Sequence, residues 1–473
     1  MKEILAKGID KGIELGGSFI DVRVEKVTSE GVGAEDGDPK DAEYSTEWRV
    51  GARALAGGSW GFAASILEEK RFDDVIFNVI EEAVKLAKAV RSSSRRIELA
   101  EIRPIEDKID AKFQIDPKDI PIEEKMNICT EASKRMLRFN SAISKAAVGI
   151  STILFDKIFT SSEGAYIQQS QLFVFGRLFA NATKAGISEF YTHTEGGAKG
   201  FETLREYDLV EHSEETAKKA LNLAEAKPAK AMKSTVILDP EFVSLLVHEI
   251  VGHPSEADRL IGKEAAWAGR AWWKDKIGQK VFSEGLSVVS DATLEGFLGS
   301  FRYDDEGVPA QRIVNIDKGL LKELLQSRET AKIFDSQPNG AMRAATALHA
   351  PLIRMTNTFI DKGDWKVEEM FEGVEEGIYL KGEKVPSIDS RRYNFRISAK
   401  EAFLIKKGEI SELLRGASLT GTSPNFLSNL DAIGNDLKVF PIPNCGKGDP
   451  MQVMRVGNGG PHIRGYGVIV ESG

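Results

Sequence analysis

The sequence predicts an α+β protein of two domains, a helix-and-strand domain at 1–227 and a strand-rich C-terminal domain at 228–473 that carries one special helix. Three observations lead to this prediction. The 473 residues exceed the length that usually forms a single core. Helical and extended patterns alternate in the first half, whereas the second half consists mainly of short strands separated by glycine. Lys227-Pro228 ends the last helix of the first half, so we place the boundary there.

The first domain is predicted to alternate helices with strands. Apolar residues at helical spacing cover 2–15, 73–90, 122–139 and 214–226. Alternating, or β-branched and aromatic, stretches cover 19–27, 47–56, 146–155, 158–160 and 168–181. Thr28-Ser-Glu-Gly recurs as Ser161-Ser-Glu-Gly. This recurrence indicates either a duplicated helix-strand-turn-strand unit or two ordinary hairpin turns.

The second domain is predicted to consist mainly of strands, at 234–238, 286–290, 311–316, 353–359, 396–405 and 468–470. One helix follows the first of these strands. Asp239 is a typical N-cap and Pro240 suits the first helical turn. The helix has a buried face formed by Val243, Leu246, Val247 and Ile250. We expect the sheets to hold this helix, which Gly252 and Pro254 should end.

The end of this helix contains His248-Glu-Ile-Val-Gly-His253, two imidazoles and a carboxylate within six residues. Neutral imidazoles are good zinc ligands, and Glu249 beside the first can accept a proton from a metal-bound water. Residues five apart lie about 140° apart around a regular α-helix, so the helix must deform or stop for both rings to bind one ion. Because His253 precedes Pro254, we expect it outside the α region, just past the helix and turned back towards His248.

The simpler interpretation makes His248 a hydrogen-bonded core residue and His253 a loop residue. A histidine pair that flanks Glu249, with a helix break between the rings, favours a hydrolytic metal site instead.

A third ligand must come from elsewhere in the chain, because catalytic zinc usually has three protein ligands. Cys129 lies in an amphipathic helical pattern and is assigned to packing. Cys445 lies in the irregular segment Pro441-Ile-Pro-Asn-Cys-Gly-Lys-Gly, where a thiolate would bind zinc strongly. The residues alone therefore suggest Cys445, while the remaining histidines stay open: His193, His212, His349 and His462.

Several separated segments resemble the TldD/PmbA family of metalloproteases, most strongly after about residue 220. They are Leu223-Ala-Glu-Ala-Lys-Pro-Ala, the His248–His253 motif, Asp304-Asp-Glu-Gly-Val-Pro-Ala-Gln, Arg354-Met-Thr-Asn-Thr, Phe403-Leu-Ile-Lys-Lys-Gly-Glu-Ile and Asn444-Cys-Gly-Lys-Gly. The resemblance implies a zinc-dependent peptidase in which His248, His253 and Cys445 hold one metal ion and Glu249 is the catalytic base. Pro254-Ser255 departs from the small aliphatic or glycine-rich residues expected after the second histidine, so the family does not predict the shape of this loop.

The resemblance also implies partners. Members pair into dimers, with a second copy or with a metal-free TldE/PmbA-type subunit, and enclose the site in a chamber for peptides or unfolded segments. A peptide would bind there as an added strand. The alternative function is that of a non-catalytic or regulatory partner subunit, which the complete motif disfavours; hydrolysis of a non-peptide amide is a further alternative.

Two segments near the motif have open roles. The acidic run at 302–307 is predicted to be a solvated turn, with a contact to the site or to the substrate as the alternative. The segment from Asp258 to Trp273, with Trp267 and Trp272, is either a lid or peptide-contacting wall, or core packing.

Composition excludes other classes of function. The net charge of −9 and pI near 5.5 argue against a nucleic-acid surface. The two cysteines cannot form a disulfide framework, and the sequence shows neither a signal peptide nor a long apolar run, so no membrane association is predicted. We therefore expect a cytoplasmic, reduced protein.

Overall fold

The structure is a computed structural model that describes residues 1–68, 71–90, 96–263 and 271–471. The helices of the first part are α1 (Lys2–Glu14), α2 (Phe72–Ala89), α3 (Ile122–Phe139), α4 (Glu202–Glu206) and α5 (Leu209–Glu225). Its strands are β1 (Phe19–Glu35), β2 (Asp38–Ala56), β3 (Ser59–Leu67), β4 (Glu106–Ile109), β5 (Ile143–Ser161), β6 (Tyr166–Lys184) and β7 (Ile187–Gly197). The predicted helices are confirmed, but most strands are longer than predicted.

These seven strands form one sheet in the order β3-β2-β1-β5-β6-β4, with β7 also paired to β6. Helices α1 and α2 bury their apolar faces on one half of the sheet, and α3 and α5 on the other. The order helix, three strands, helix thus occurs twice, although duplication itself stays a prediction.

The predicted turn at Thr28–Gly31 is wrong, because these residues lie inside β1. The turn comes later, at Asp36 and Gly37, whose φ angles of 53° and 89° suit a tight hairpin with an Asp-Gly sequence. The second copy of the pattern, at Ser161–Gly164, does form a turn.

The second part begins with β8 (Lys227–Pro228) and β9 (Met232–Leu238). Its helices are α6 (Pro240–Val247), α7 (Ala257–Ile261), α8 (Arg328–Ile333), α9 (Val367–Glu372) and α10 (Ser423–Ser428). Its other strands are β10 (Val288–Asp291), β11 (Arg312–Asp317), β12 (Leu320–Leu321), β13 (Met342–Arg343), β14 (Leu352–Ile353), β15 (Asn357–Ile360), β16 (Glu376–Ile388), β17 (Asn394–Lys406), β18 (Glu409–Arg415), β19 (Ala417–Thr422), β20 (Ala432–Ile433), β21 (Lys438–Lys447), β22 (Gln452–Gly460) and β23 (Ile463–Glu471). The α+β class is confirmed, and the boundary at residues 227 and 228 stays a prediction.

Two sheets enclose the motif helix. Because β16 pairs with both β9 and β17, the strands β16, β9, β23, β19 and β17 form a closed ring. A six-stranded sheet has the order β12-β11-β10-β15-β22-β21. Helix α6 shares its apolar cluster with β9, β16 and β17, and it also contacts β21 and β22. The single strand predicted at 353–359 is instead divided between β14 and β15, which belong to different sheets.

The acidic run at 304–306 is buried and not a solvated turn, which corrects the prediction. Glu306 pairs with Arg53 of β2, and Asp305 pairs with Lys157 of β5 at 2.9 Å. Asp304 accepts hydrogen bonds from backbone N–H groups, among them that of Met342. Cations from the first sheet therefore compensate the charges of Asp305 and Glu306 and attach the two parts of the chain to each other.

Among the described residues, no helix combines the length and the apolar character needed to cross a membrane.

Candidate metal centre

The start of α6 agrees with its predicted capping. The Asp239 side chain accepts hydrogen bonds from the backbone N–H of Phe242 at 2.8 Å and of Gly382 at 2.9 Å. The first bond satisfies a free N–H at the helix start, and the second attaches that start to β16. Pro240 occupies the first turn. The helix is thus fixed at the end opposite to the motif.

The motif forms a π-helical turn at His248–Gly252, followed by a 3-10 turn at His253–Ser255. His253 has φ −62° and ψ −42°, so the prediction that it leaves the α region is wrong. The helix deforms instead of stopping. Its wider turn, with hydrogen bonds between residues five apart, brings His248 and His253 to the same face.

Gly252 allows the close packing of this turn. A Cβ atom there would lie 2.0 Å from Sδ of Met355, which is fully buried. With φ −59°, Gly252 does not need the freedom of a left-handed backbone, so the requirement at this position is space.

The structure brings together the three predicted ligands, His248, His253 and Cys445. One donor atom from each lies within 4.8 Å of the others, and all three residues are buried. The two rings are perpendicular, with centroids 4.8 Å apart. Nε2 of His253 lies 3.7 Å from Sγ of Cys445. Tetrahedral zinc would separate such a nitrogen and sulfur by about 3.6 Å, so the spacing suits that ion.

Cys445 reaches the helix through an irregularity in β21. Its pairing with β22 shifts register between Ile442 and Cys445. Such a bulge re-aims side chains. The carbonyl of Cys445 accepts a hydrogen bond from Arg354, a buried residue between β14 and β15. The bulge and Arg354 together set the position of the sulfur.

The electrostatics favour a thiolate. Burial alone would raise the pKa of the Cys445 thiol, but the charges of His248 and Arg354 hold it well below its usual range. Burial alone would lower the pKa of His248, whereas the facing sulfur raises it to about 9. Once the proton on His248 is lost, the site offers one negative sulfur and two neutral imidazole nitrogens to a cation, and these are the donors that zinc prefers. The donor set therefore fits zinc.

Each imidazole is oriented by a residue that the sequence analysis did not assign to this role. Nδ1 of His248 lies 3.0 Å from Oδ1 of Asn458, and Nδ1 of His253 lies 3.1 Å from a carboxylate oxygen of Glu256. These contacts leave both Nε2 atoms for a metal. Glu256 is one turn after His253, so spacing could have indicated it. Asn458 is 210 residues from His248, and the sequence gives no signal for it.

Glu256 is fully buried among cations. It accepts a hydrogen bond from Arg259 at 2.7 Å and lies 3.1 Å from Nζ of Lys447. Lys447 also donates to both carboxylate oxygens of Asp258. Burial alone would raise the pKa of Glu256, but these cations hold it well below its usual range. Glu256 therefore stays ionised and orients His253.

The other candidate ligands are not part of the cluster. His193 and His212 each stack on the ring of Tyr207, with ring centroids 4.5 and 4.1 Å away. His462 bridges Tyr379 and Asp436, and His349 contacts Thr346. Cys129 is buried in the apolar cluster of α3, as predicted, and burial raises the pKa of its thiol to about 12.

Glu249 lies beside the cluster, where Nη1 of Arg392 donates a hydrogen bond to its Oε2 atom. Both residues line a cavity of about 1230 Å³, as do the three candidate ligands. The opposite wall comes from the first sheet, including Ile150 of β5 and Phe179 of β6. The cluster thus faces a space between the two parts of the chain, with a carboxylate at its edge.

Of the three tryptophans that closely follow the motif, two pack against the core and one lies outside the described residues. Trp273 is fully buried in the core around α6, and Trp272 packs against that core and the ring of Tyr393. Trp267, part of the proposed lid, lies outside the described residues. The described part of this segment agrees with the packing alternative.

Comparisons with known proteins identify the family. Residues 20–87, 115–227 and 231–471 match the family models of PmbA/TldA metallopeptidase domain 1, the central domain and the C-terminal domain. A metalloprotease of Methanocaldococcus jannaschii is 35% identical over 458 residues, 96% of this chain and 97% of that protein. The chain belongs to the PmbA/TldD metallopeptidase family. The predicted resemblance is thereby confirmed.

Three further proteins are similar to this chain. A zinc metalloprotease TldD homolog of Saccharolobus solfataricus is 28% identical over 466 residues, 97% of each chain. The crystal structure of TldE from Thermococcus kodakarensis has a TM-score of 0.74 and 18% identity, and covers 99% of this chain and 100% of its own. A Thermotoga maritima structure described as a modulator of a DNA gyrase has a TM-score of 0.79 and 16% identity over 99% and 100%. The two structures show a shared fold.

Proposed function

We propose that this protein is a zinc-dependent peptidase that hydrolyses peptides or unfolded segments. One observation carries the proposal: His248, His253 and Cys445 place two imidazoles and a thiol within 4.8 Å of one another beside Glu249, at the wall of a large cavity. The name of the Saccharolobus solfataricus relative supports the choice of zinc. We assign His248, His253 and Cys445 as ligands of one ion and Glu249 as the base.

The chain's own groups would carry out the proton transfers. When zinc is bound, it supplies Lewis acidity, which acidifies a bound water and polarises a peptide carbonyl. Glu249 accepts a proton as water adds to the carbonyl carbon, and it returns a proton to the amine nitrogen as the C–N bond breaks. Asn458 and Glu256 keep the two imidazoles in the tautomer that leaves Nε2 free. The products are a carboxylate and an amine.

A strand edge that is available for pairing at the cavity supports an extended substrate. Among the described strands, β1 is the one paired with the part of β2 before Trp48, because β3 begins to pair with β2 at Trp48. Lys40, Asp41 and Glu43 of this part line the cavity. A peptide strand added there would form main-chain hydrogen bonds with little sequence preference. At β21, Pro441 and Pro443 lack N–H donors, which makes β2 the better edge.

We further propose that the protein acts as a dimer, with a second copy or with a metal-free TldE/PmbA-type subunit. The similarity of the fold to TldE from Thermococcus kodakarensis supports a shared architecture for such pairs. Light scattering tests the homodimer, which requires twice the 51.9 kDa of the chain. The alternative of a non-catalytic subunit is disfavoured, because such a protein has no need for three converging donors beside a carboxylate.

Peptide hydrolysis by the zinc-loaded protein tests the proposed activity. We expect cleavage of an unstructured, internally quenched peptide, its loss after treatment with a zinc chelator and its recovery with added zinc. Glu249→Gln should keep the zinc and lose on the order of 10²- to 10⁴-fold in rate. Glu284→Gln is the control, because the side chain of Glu284 is 82% exposed and does not line the cavity. Wild-type rates in Glu249→Gln with full zinc would assign the base to another residue.

A further inference from the structure

Arg392 makes a direct contact with Glu249, the proposed base. Arg392 lies in the connection between β16 and β17, and its guanidinium donates to the Glu249 carboxylate at the cavity wall. The contact places a cation at the edge of the ligand cluster, beside the carboxylate proposed as the base. A guanidinium at this position can also donate to a group that binds in the cavity next to Glu249.

The connection that carries Arg392 is held firmly. Arg392 has φ 61°, a left-handed conformation that costs energy for a residue with a side chain. Asp389 accepts hydrogen bonds from the backbone N–H of Tyr393 and of Asn394, each at 2.9 Å. Ser423 donates to the carbonyl of Arg392 at 2.7 Å. The surroundings thus enforce a strained backbone that aims this side chain at the site.

The guanidinium has unused donor capacity. Within the described part of the chain, Nε of Arg392 is buried and has no hydrogen-bond acceptor. The side chain of Arg392 is 15% exposed, and that of Glu249 is 11% exposed. A guanidinium has five N–H donors in a fixed plane, so it can keep one acceptor while it gains a second. An acceptor that enters the cavity beside Glu249 would meet these donors.

We propose that Arg392 is a catalytic residue that donates hydrogen bonds to the carbonyl oxygen of the scissile peptide bond as this oxygen becomes negatively charged. The unused N–H donors of its guanidinium serve this oxygen as water adds to the carbonyl carbon, while Glu249 accepts the proton of that water. Arg392 keeps its protons throughout, and the proton of water passes by way of Glu249 to the leaving amine. Because the new acceptor gains charge only in the transition state, the contact accelerates the reaction without tighter substrate binding.

This inference rests on the proposed peptidase function, and steady-state kinetics of the zinc-loaded protein with an unstructured peptide test both. Arg392→Gln replaces the guanidinium with a neutral polar group. Glutamine also has a Cβ atom, so the cost of the left-handed backbone at this position is about the same. We expect kcat to fall by about 10²- to 10³-fold, the usual cost of one lost oxyanion donor, with KM within threefold and full zinc content. Arg391→Gln is the matched control, because Arg391 is the exposed neighbour in the same connection.

Two further measurements separate this role from a structural one. A phosphinic peptide mimics the tetrahedral intermediate, so its inhibition constant should weaken by the same factor as kcat/KM in Arg392→Gln. Added guanidinium ion should restore part of the kcat of Arg392→Ala and leave Arg391→Gln unchanged. If the wild type cuts the peptide and Arg392→Gln keeps its kcat or changes only KM, this inference is overturned while the peptidase function stands. A zinc-loaded wild type without turnover would overturn both.

Discussion

Glu256 accepts a hydrogen bond from Nδ1 of His253 over 3.1 Å, and it does so from a fully buried position three residues later in the chain. This contact fixes the proton of the imidazole on Nδ1 and leaves Nε2 facing Cys445. The short 3-10 turn that follows the π-helical turn produces the arrangement. The 3-10 turn thus positions the carboxylate of Glu256, and this carboxylate orients the imidazole of the proposed ligand His253.

We predict that Glu256→Gln weakens zinc binding by about 10- to 100-fold, the usual effect of a lost partner of a ligating histidine. The amide no longer guarantees an acceptor for Nδ1–H, and it replaces the carboxylate that Glu256 presents to Arg259 with a neutral group. Competition with a chromophoric zinc chelator measures the change. Glu284→Gln is the control, because the side chain of Glu284 is 82% exposed. Equal affinity in Glu256→Gln and the wild type would contradict this role.

A second prediction concerns the space at Gly252. Gly252→Ala should lower stability by about 1–3 kcal/mol, because the added methyl group overlaps with the fully buried Met355. Met355→Ala alone leaves a cavity and should cost about 2–5 kcal/mol. In that background Gly252→Ala should cost much less, which urea unfolding of the four proteins measures. If the effects of the two substitutions are additive, overlap with Met355 is not the reason why Gly252→Ala lowers stability.

A third prediction concerns the ion pairs between the two parts of the chain. Arg53 bonds to Asp21 and to Glu306, and all three are buried. Arg53→Met removes the cation that pairs with two buried carboxylates and should cost about 3–5 kcal/mol in urea unfolding. The exposed pair of Lys2 and Glu106 gives a control, since Lys2→Met should cost less than about 1 kcal/mol.

The cost of Arg53→Met should depend on pH. Burial already raises the pKa of Glu306 in the wild type, and loss of Arg53 removes the main opposing charge. A carboxyl whose pKa is higher in the folded chain than in the unfolded chain takes up protons on folding, so its stabilising effect is lost as pH rises. The deficit of the variant should therefore be smallest in acid and grow towards neutral pH. A deficit that shrinks as pH rises would contradict the assignment.

Sequence patterns predicted the elements that bury one face along their length. The helix at 122–139 was predicted with the bounds that the structure has, because one face is buried along its length. The first half of β2 was missed, because Asp38–Thr46 are all exposed and have no apolar alternation. Strand periodicity requires one buried face, which these residues do not have.

The site was predicted where chemistry is local and missed where it depends on the fold. The motif indicated that the helix must deform, but His253 remains helical, because a π-helical turn satisfies the spacing without a break. Asn458 and Arg392 reach the site from distant strands and connections, for which one sequence gives no spacing signal. The run at 304–306 was mistaken for a solvated turn, because its partners Arg53 and Lys157 lie far away in the chain.

The zinc X-ray absorption spectrum of the zinc-loaded protein tests the central claim most directly, since it counts sulfur and nitrogen neighbours of the ion. We predict one sulfur at about 2.3 Å, with the other neighbours nitrogen or oxygen at about 2.0–2.1 Å. The sulfur signal should vanish in Cys445→Ser and persist in Cys129→Ser. A stoichiometric zinc ion without a sulfur neighbour in the wild type would contradict the proposed site of His248, His253 and Cys445.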